Sequence, residues 1–375
     1  MATSDNRQLV SKLTFFPSYP LYCYVNGLLD GYEIYDTLGA EFDSDGDYTW
    51  QTGDAPEEVE ELIYSLISMS PSKRHRLPAS NNYLVDTDDD GALDAYGGYI
   101  RWKTRGLGGN NSSTPSPHDF TMFLGHNFNE TNSTIEFDAG ANVQALQNDC
   151  RTSCAYDGWS LFTYDEHNTN SGNYIKFLSD ADCDIGTMLW GKKWEAPINV
   201  DINQTLNVTY GNKIRRTVGG KAISTLHYAG ADMWGDLQAW ELLPHSEKDS
   251  ASGLQHEPPP AGLRTWQVAF NQIQTSDMLP QNAMLNNYGW NRDSTEAYDI
   301  SNSSDNTTSS YNRNTSTDFL SSVYRLTMGS HLPCVIRISE SNNPDQFAIV
   351  RISDFKITQQ NAKFVSYSMT LEEQV

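Results

Sequence analysis

Short apolar stretches separated by turn-forming residues dominate the chain. Trp266, Val268 and Phe270 alternate with polar neighbours, which predicts a strand with one buried face. Residues 120–124 are apolar at nearly every position, which predicts a central strand buried on both faces. Further strands are predicted at Tyr19–Val25, 31–38, 47–52, 99–104, 134–137, 159–164, 174–177, 185–190, 206–210, 334–338, 347–352, 355–358 and 364–371.

Two short helices are predicted to interrupt these strands. The first covers residues 55–69, where apolar side chains recur at helical spacing behind an acidic first turn. Its buried stripe is Val59, Leu62, Ile63, Leu66 and Ile67. The second is predicted to begin at a Thr317 cap and to end at Gly329. Its apolar face would hold Phe319, Leu320, Val323, Tyr324, Thr327 and Met328.

The spacing of the strands predicts a mainly β protein with two domains. Residues 1–192 are expected to form a jelly-roll-like β-sandwich with the helix 55–69 inserted. Residues 193–375 are expected to form a second β-rich assembly domain, which begins near the segment 194–197. The polar segments 244–263 and 301–316 are predicted to be long loops of this second domain, able to order on a neighbouring subunit.

The net charge of the chain limits the classes of molecule that it is expected to bind. The chain has 375 residues, with 48 Asp and Glu against 25 Lys and Arg, and a formal net charge of −23. A surface this acidic repels phosphate and anionic lipid, so we expect no direct nucleic-acid binding. No stretch approaches about 18 apolar residues, so we expect no membrane insertion. The N-terminal residues resemble no secretory signal, so we expect synthesis in a cytoplasm. The 5 cysteines are expected to be reduced and partly buried.

One acidic segment has the ligand spacing of a calcium loop. Oxygen ligands fall at positions 1, 3, 5 and 9 of residues 86–97, and Gly91 takes the sharp turn at position 6. The candidate ligands are Asp86, Asp88, Asp90, the carbonyl of Ala92, and Asp94. Gly97 stands at position 12, where a bidentate carboxylate is usual. The sequence leaves two alternatives: a weak structural calcium site or a solvated acidic turn. No other cofactor is expected.

No pattern of catalytic residues stands out, and we predict none. His126 follows the buried strand 120–124, and a histidine that hydrogen-bonds its own turn is the favoured interpretation over a catalytic one. Residues 218–223 lack the glycine spacing of a phosphate-binding loop, which indicates a glycine turn between strands. Trp234, Trp240 and Trp266 have two interpretations: sugar-stacking residues or members of a β core.

Several short segments together resemble a known family. In chain order they are 120–129, 183–191, 194–197, 213–220, 264–270, 329–333 and 343–349. Their order is similar to that in virion structural proteins of tailed bacteriophages, especially marine ones, over most of residues 115–375. The resemblance implies a virion component of the tail or tail tip, made in the host bacterial cytoplasm. It also implies a ring of copies that contacts other tail proteins, with no catalytic residues to transfer.

Two functions from different classes therefore compete. The first is a non-enzymatic virion assembly protein, and the second is a carbohydrate-binding or carbohydrate-active β-sandwich that contacts host-surface carbohydrate. A cleft with two carboxyl groups about 5 to 10 Å apart and exposed aromatic rings would favour the carbohydrate function. Extended segments and self-complementary surfaces would favour assembly.

Overall fold

The computed structural model describes residues 10–26, 33–36, 40–42, 48–50, 66–67, 69, 75–77, 84–85, 94–95, 99–103, 118–128, 134–138, 151–153, 158–167, 173–178, 183–201, 204–209, 212–226, 262–279, 317–339, 347–361 and 363–374. The strands are β1 (Thr14–Phe16), β2 (Glu33–Asp36), β3 (Ala40–Phe42), β4 (Tyr48–Trp50), β5 (His75–Leu77), β6 (Leu84–Val85), β7 (Asp94–Ala95), β8 (Tyr99–Lys103), β9 (His118–His126), β10 (Thr134–Asp138), β11 (Arg151–Ser153), β12 (Gly158–His167), β13 (Asn173–Leu178), β14 (Cys183–Ile185), β15 (Thr187–Gly191), β16 (Trp194–Glu195), β17 (Thr205–Thr209), β18 (Asn212–Arg216), β19 (Ala222–Leu226), β20 (Leu263–Gln274), β21 (Cys334–Arg337), β22 (Phe347–Gln359) and β23 (Phe364–Glu373). The helices are α1 (Tyr19–Val25), α2 (Thr275–Met278) and the π-helical α3 (Leu320–Tyr324).

Antiparallel sheets make up most of this structure, and the prediction of a mainly β fold is confirmed. The largest sheet has seven strands in the order β16-β1-β21-β22-β23-β20-β17. A five-stranded sheet has the order β11-β10-β13-β8-β2, and a three-stranded sheet has the order β12-β9-β15. Four two-stranded ribbons complete the arrangement: β14 with β5, β18 with β19, β3 with β4, and β6 with β7.

Strand β1 joins the N-terminal segment to strands from the C-terminal half. Phe15 pairs with Trp194 of β16 on one side and with Ile336 of β21 on the other. The predicted division of the chain into 1–192 and 193–375 stays a prediction. Strand β1 belongs to residues 1–192, but both of its partner strands, β16 and β21, belong to residues 193–375.

The seven-stranded sheet has a separate core on each face, because successive side chains of a strand point in opposite directions. Phe15 belongs to the large core, which contains Phe319 and Val323 beside the sheet residues. Phe16 belongs to the inter-sheet core, where its ring meets that of Phe120 edge-on at 5.1 Å. The three-stranded sheet therefore packs against the seven-stranded sheet through aromatic and aliphatic side chains, as in a sandwich.

Strand β9 is buried on both sides, which confirms the prediction of a central strand at 120–124. It lies between β12 and β15. Phe120 and Leu124 face the inter-sheet core, whereas Phe123 belongs to a third cluster, the α1 core, with Tyr22 and Cys23 of α1. These two faces explain why the strand lacks the alternation of a half-exposed one.

The prediction of a strand at Tyr19–Val25 is wrong, because these residues form α1. The hydroxyl of Ser18 accepts a hydrogen bond from the backbone N–H of Leu21 at 3.2 Å and so caps the helix. Pro20 lies in the first turn, where its missing N–H removes no intrahelical bond, whereas in a strand it would remove a ladder bond. The side chain of Asn26 closes the other end by donating to the carbonyl of Tyr22 at 2.8 Å.

The C-terminal helix is shorter than predicted and has a different cap. The carboxylate of Asp318, and not the hydroxyl of Thr317, accepts the backbone N–H of Ser321 at 2.9 Å. Met328, predicted on the apolar face, is 41% exposed. Gly329 ends the segment as predicted: its φ is 70°, and its N–H donates to the carbonyl of Tyr324 at 2.8 Å.

Three other predictions are tested only in part. Of the helix 55–69, Leu66 and Ile67 are described, and both are helical and buried. The predicted end at residue 69 is wrong, because Met69 is not helical and has a φ of 50°. Residues 55–65 and 68 lie outside the described residues. So do residues 244–261 and 301–316, whereas Leu263, predicted in a loop, begins β20. The strands predicted at 347–352 and 355–358 are one strand, β22, with a bulge around Asp354, whose φ is 50°.

Candidate functional site

The predicted calcium loop is described at one of its ligands only. Asp94 lies in β7 and pairs with Val85 of β6, so the ribbon β6–β7 holds the two ends of the loop together. Asp86, Asp88, Asp90 and Ala92 lie outside the described residues. Within the residues that the structure describes, no group of three His, Cys, Asp or Glu side chains is placed to hold a metal ion. Calcium binding at residues 86–94 stays a prediction.

His126 is a buried structural residue, as the sequence favoured. Its Nδ1 accepts the backbone N–H of Phe128 at 3.3 Å, and its ring stacks on the ring of Phe128 at 4.0 Å. Because a backbone N–H can only donate, the neutral imidazole carries its proton on Nε2. Nε2 lies 2.8 Å from Oγ of Ser160 and therefore donates to it. In this state the imidazole has no lone pair directed at Ser160 with which to activate the hydroxyl.

The segment around His126 joins the three-stranded sheet to the ribbon β14–β5. Gly125 has a φ of 70°, which turns the chain at the end of β9. The side-chain oxygen of Asn127 accepts the backbone N–H of Asp184 at 2.7 Å. The carboxylate of Asp184 in turn accepts Nε–H of Arg76 at 2.8 Å. The turn thus holds β14 and β5 against the end of the three-stranded sheet.

A polar cluster between β9 and β12 was not predicted from the sequence. His118 is 0% exposed, and its ring meets Tyr164 edge-on at 5.7 Å. The hydroxyls of Tyr164 and Thr121 lie 2.9 Å apart. Burial raises the pKa of Tyr164 above its ordinary value, and the nearby carboxylate of Asp119 raises it further, against a lowering by Thr121. Tyr164 therefore stays neutral and acts as a packing residue in the fold.

The other candidate groups are also enclosed. Trp266 is 0% exposed and therefore belongs to the β core, not to a sugar-stacking surface; Trp234 and Trp240 lie outside the described residues. Arg264 lies over the Trp266 ring, 4.7 Å from its centroid, and pairs with Glu373 at 2.7 Å. Both partners of this ion pair have fully buried side chains.

The cysteines in the described residues behave as small apolar side chains, as predicted. Cys23, Cys183 and Cys334 are free and buried. Burial raises the pKa of Cys334 to about 12, so its thiol is protonated at neutral pH and is a poor nucleophile. Cys150 and Cys154 lie outside the described residues.

Unlike these buried groups, the ribbon β18–β19 is exposed. Its turn confirms the prediction of a glycine turn at 218–223. The backbone N–H of Thr217 donates to the carbonyl of Lys221 at 2.9 Å, and the Lys221 N–H donates to Oγ1 of Thr217 at 3.1 Å. Gly220 has a φ of 82°, the left-handed conformation that closes a three-residue hairpin loop.

Both faces of this ribbon are exposed. Ile214 pairs with Ser224 and Ile223 pairs with Arg215, so the two isoleucines lie on opposite faces. Ile214 is 62% exposed, Ile223 is 55% exposed, and Val218 at the tip is 110% exposed. Residues 212–226 carry four basic side chains and no acidic one. The ribbon is therefore a basic and apolar projection on an acidic chain.

Comparisons of the chain with protein-family models, with curated proteins and with solved structures find no match in any of the three. Among the helices that the structure describes, none is long and apolar enough to cross a membrane.

Proposed function

We propose that the chain is a non-enzymatic structural component of a tailed-bacteriophage virion, in the tail or tail tip, that assembles as a ring of copies. The first support is the ordered series of segments between residues 120 and 349 that resembles this class of protein. The second is the character of the polar groups described above. His126 and the Arg264–Glu373 pair lie inside the fold, and Tyr164 is half-buried against the α1 core.

The ribbon β18–β19 is the observation that carries the proposal. Its strands pair with each other and with no other strand in the described parts of the chain. Three of the seven large apolar side chains that are exposed in the described residues, Ile214, Val218 and Ile223, lie on this one ribbon. A subunit of an assembly buries such side chains against a neighbour.

The experiment is to determine the state of the full chain alone and in its particle. Mass photometry and electron microscopy of the recombinant chain should show closed rings, and proteomics of purified virions should find the chain at a stoichiometry above one copy. The carbohydrate function predicts a different result. A monomer that binds glycans in an array and is absent from virions would overturn the proposal.

A further inference from the structure

Within the parts of the chain that the structure describes, the ribbon β18–β19 pairs with no other strand, and residues 214–225 are all exposed. Isolated two-stranded hairpins are marginal in water, because they bury too little apolar area to offset the ordering of their backbone. Here Ile214 and Ile223 point to opposite faces, and both are more than half exposed. Binding of another molecule that covers both faces would supply the missing burial.

The charge of the ribbon indicates the chemistry of that molecule. Arg215, Arg216 and Lys221 are exposed, and Lys213 adds a fourth basic residue. Removing these four charges from the formal net charge of −23 leaves −27 on the rest of the chain. A basic ribbon and an acidic body are complementary, and such complementarity directs association toward one partner.

We infer that the ribbon β18–β19 is an arm that docks on the acidic body of a second copy of this chain, by burying Ile214, Val218 and Ile223 among neighbouring side chains. This inference rests on the proposed function and specifies the contact that assembles the ring. In a ring of more than two copies, the arm of each copy would contact the body of the next, which is a head-to-tail contact. Head-to-tail contacts close into rings when the rotation between neighbours permits it.

Photo-crosslinking tests the inference at the tip of the arm. Val218 takes part in no strand pair and is fully exposed, so a benzoylphenylalanine at this position leaves the ribbon intact. Irradiation of a mixture of isotopically light and heavy copies should give crosslinked light–heavy peptides between position 218 and an acidic segment. The same probe at the exposed Lys356 of β22 is the control and should give no light–heavy crosslink above background. Crosslinks confined to one copy would overturn the inference.

Charge reversal tests the role of the basic residues. The variant Arg215→Glu/Arg216→Glu should raise the concentration at which rings form by about tenfold or more, because like charges then oppose at the contact. Lys356→Glu and Val25→Ser, two exposed positions outside the ribbon, should assemble as the wild type does. Assembly should also weaken between about 0.1 and 1 M salt, as the screening length falls from about 10 to about 3 Å.

The outcomes separate this inference from the proposed function. If wild-type rings form and the charge-reversed arm assembles equally well, the arm is not the contact, while the ring itself stands. If the wild type remains a monomer at every concentration and is absent from virions, both proposals fail. Salt-sensitive binding of the isolated wild-type chain to duplex DNA, lost in Arg215→Glu/Arg216→Glu, would instead assign the arm to nucleic acid and overturn docking on a second copy.

Discussion

Replacing Glu373 by alanine tests whether the buried ion pair between Arg264 and Glu373 holds β23 against β20 in the seven-stranded sheet. The Glu373 carboxylate accepts three groups of Arg264: the backbone N–H at 2.8 Å, Nη2–H at 2.7 Å and Nε–H at 3.1 Å. The alanine variant leaves the buried guanidinium without the Glu373 carboxylate, whereas the bond from Nη2 to the carbonyl of Phe347 at 3.3 Å remains. Breaking one side of such a pair costs about 3 to 5 kcal/mol. A whole domain is stable by only about 5 to 15 kcal/mol.

Urea unfolding measures this loss as a lower midpoint at an unchanged slope. Glu372→Ala is the matched control: Glu372 is the neighbouring residue, is exposed, and bonds to Oγ of Ser353 at 2.7 Å, so its loss should cost less than about 0.5 kcal/mol. The double variant Arg264→Met/Glu373→Leu removes both charges and should recover most of the stability. A loss below about 1 kcal/mol in Glu373→Ala, or no recovery in the double variant, would refute the reasoning.

Three further predictions follow from single positions. Gly191→Ala should destabilise the fold by about 1 to 3 kcal/mol in urea unfolding, because the new Cβ would lie 2.5 Å from the carbonyl oxygen of Pro17. Gly219→Ala is the control and should not destabilise the fold, because its Cβ would meet nothing closer than 4.0 Å. Burial raises the pKa of Tyr367, so the fold prefers the neutral phenol and loses stability as the pH rises above about 10. Tyr367→Phe should reduce that loss of stability by about 1.4 kcal/mol per pH unit. An unchanged alkaline stability profile in this variant would contradict the prediction. Calcium at about 5 mM should stabilise the chain by about 1 to 2 kcal/mol if its Kd is about 10⁻³ to 10⁻⁴ M, and Asp88→Ala should abolish the rise in Tm. Equal melting curves with and without calcium would favour the alternative, a solvated acidic turn.

Strands with one buried face were predictable, because their burial has the period of the pleat. Trp266, Val268 and Phe270 are all buried, as their alternation predicts. The same reasoning failed at β22, where the bulge at Asp354 inserts a residue and shifts the alternation. A pattern read with a fixed period of two therefore divides this strand into two, although its backbone continues through the bulge.

The segment Tyr19–Val25 shows a different limit. Seven residues that are mostly apolar carry no clear period, so helix and strand cannot be told apart by pattern alone. The deciding information is local: Ser18 provides a cap, and Pro20 fits the first turn of a helix but not a paired strand. Capping residues therefore contain information that the apolar run does not.

Long-range contacts were outside the reach of the sequence. Phe15 pairs with Ile336, and Arg264 pairs with Glu373 across 109 residues. Nothing in the local pattern of either segment identifies its partner, because burial fixes which face is apolar but not which strand lies beside it. The same reason explains why the polar cluster of His118 and Tyr164 was missed: polar residues within apolar strands are recognised as partners only when the sheet is assembled.

For the exposed arm β18–β19, the turn and the register of the two strands can be predicted from the sequence. The glycines at 219 and 220 predict a turn, and a three-residue loop at 218–220 fixes the register of the strands on either side. That register places Ile214 opposite Ser224 and Ile223 opposite Arg215. Because directly opposed side chains share a face, the two isoleucines must lie on different faces, and one neighbouring layer cannot bury both. Two layers of the same chain can enclose both faces of a strand, as they do for β9. A second copy is therefore inferred not from the register but from the exposure of Ile214 and Ile223 and from four basic residues on a chain with a net charge of −23.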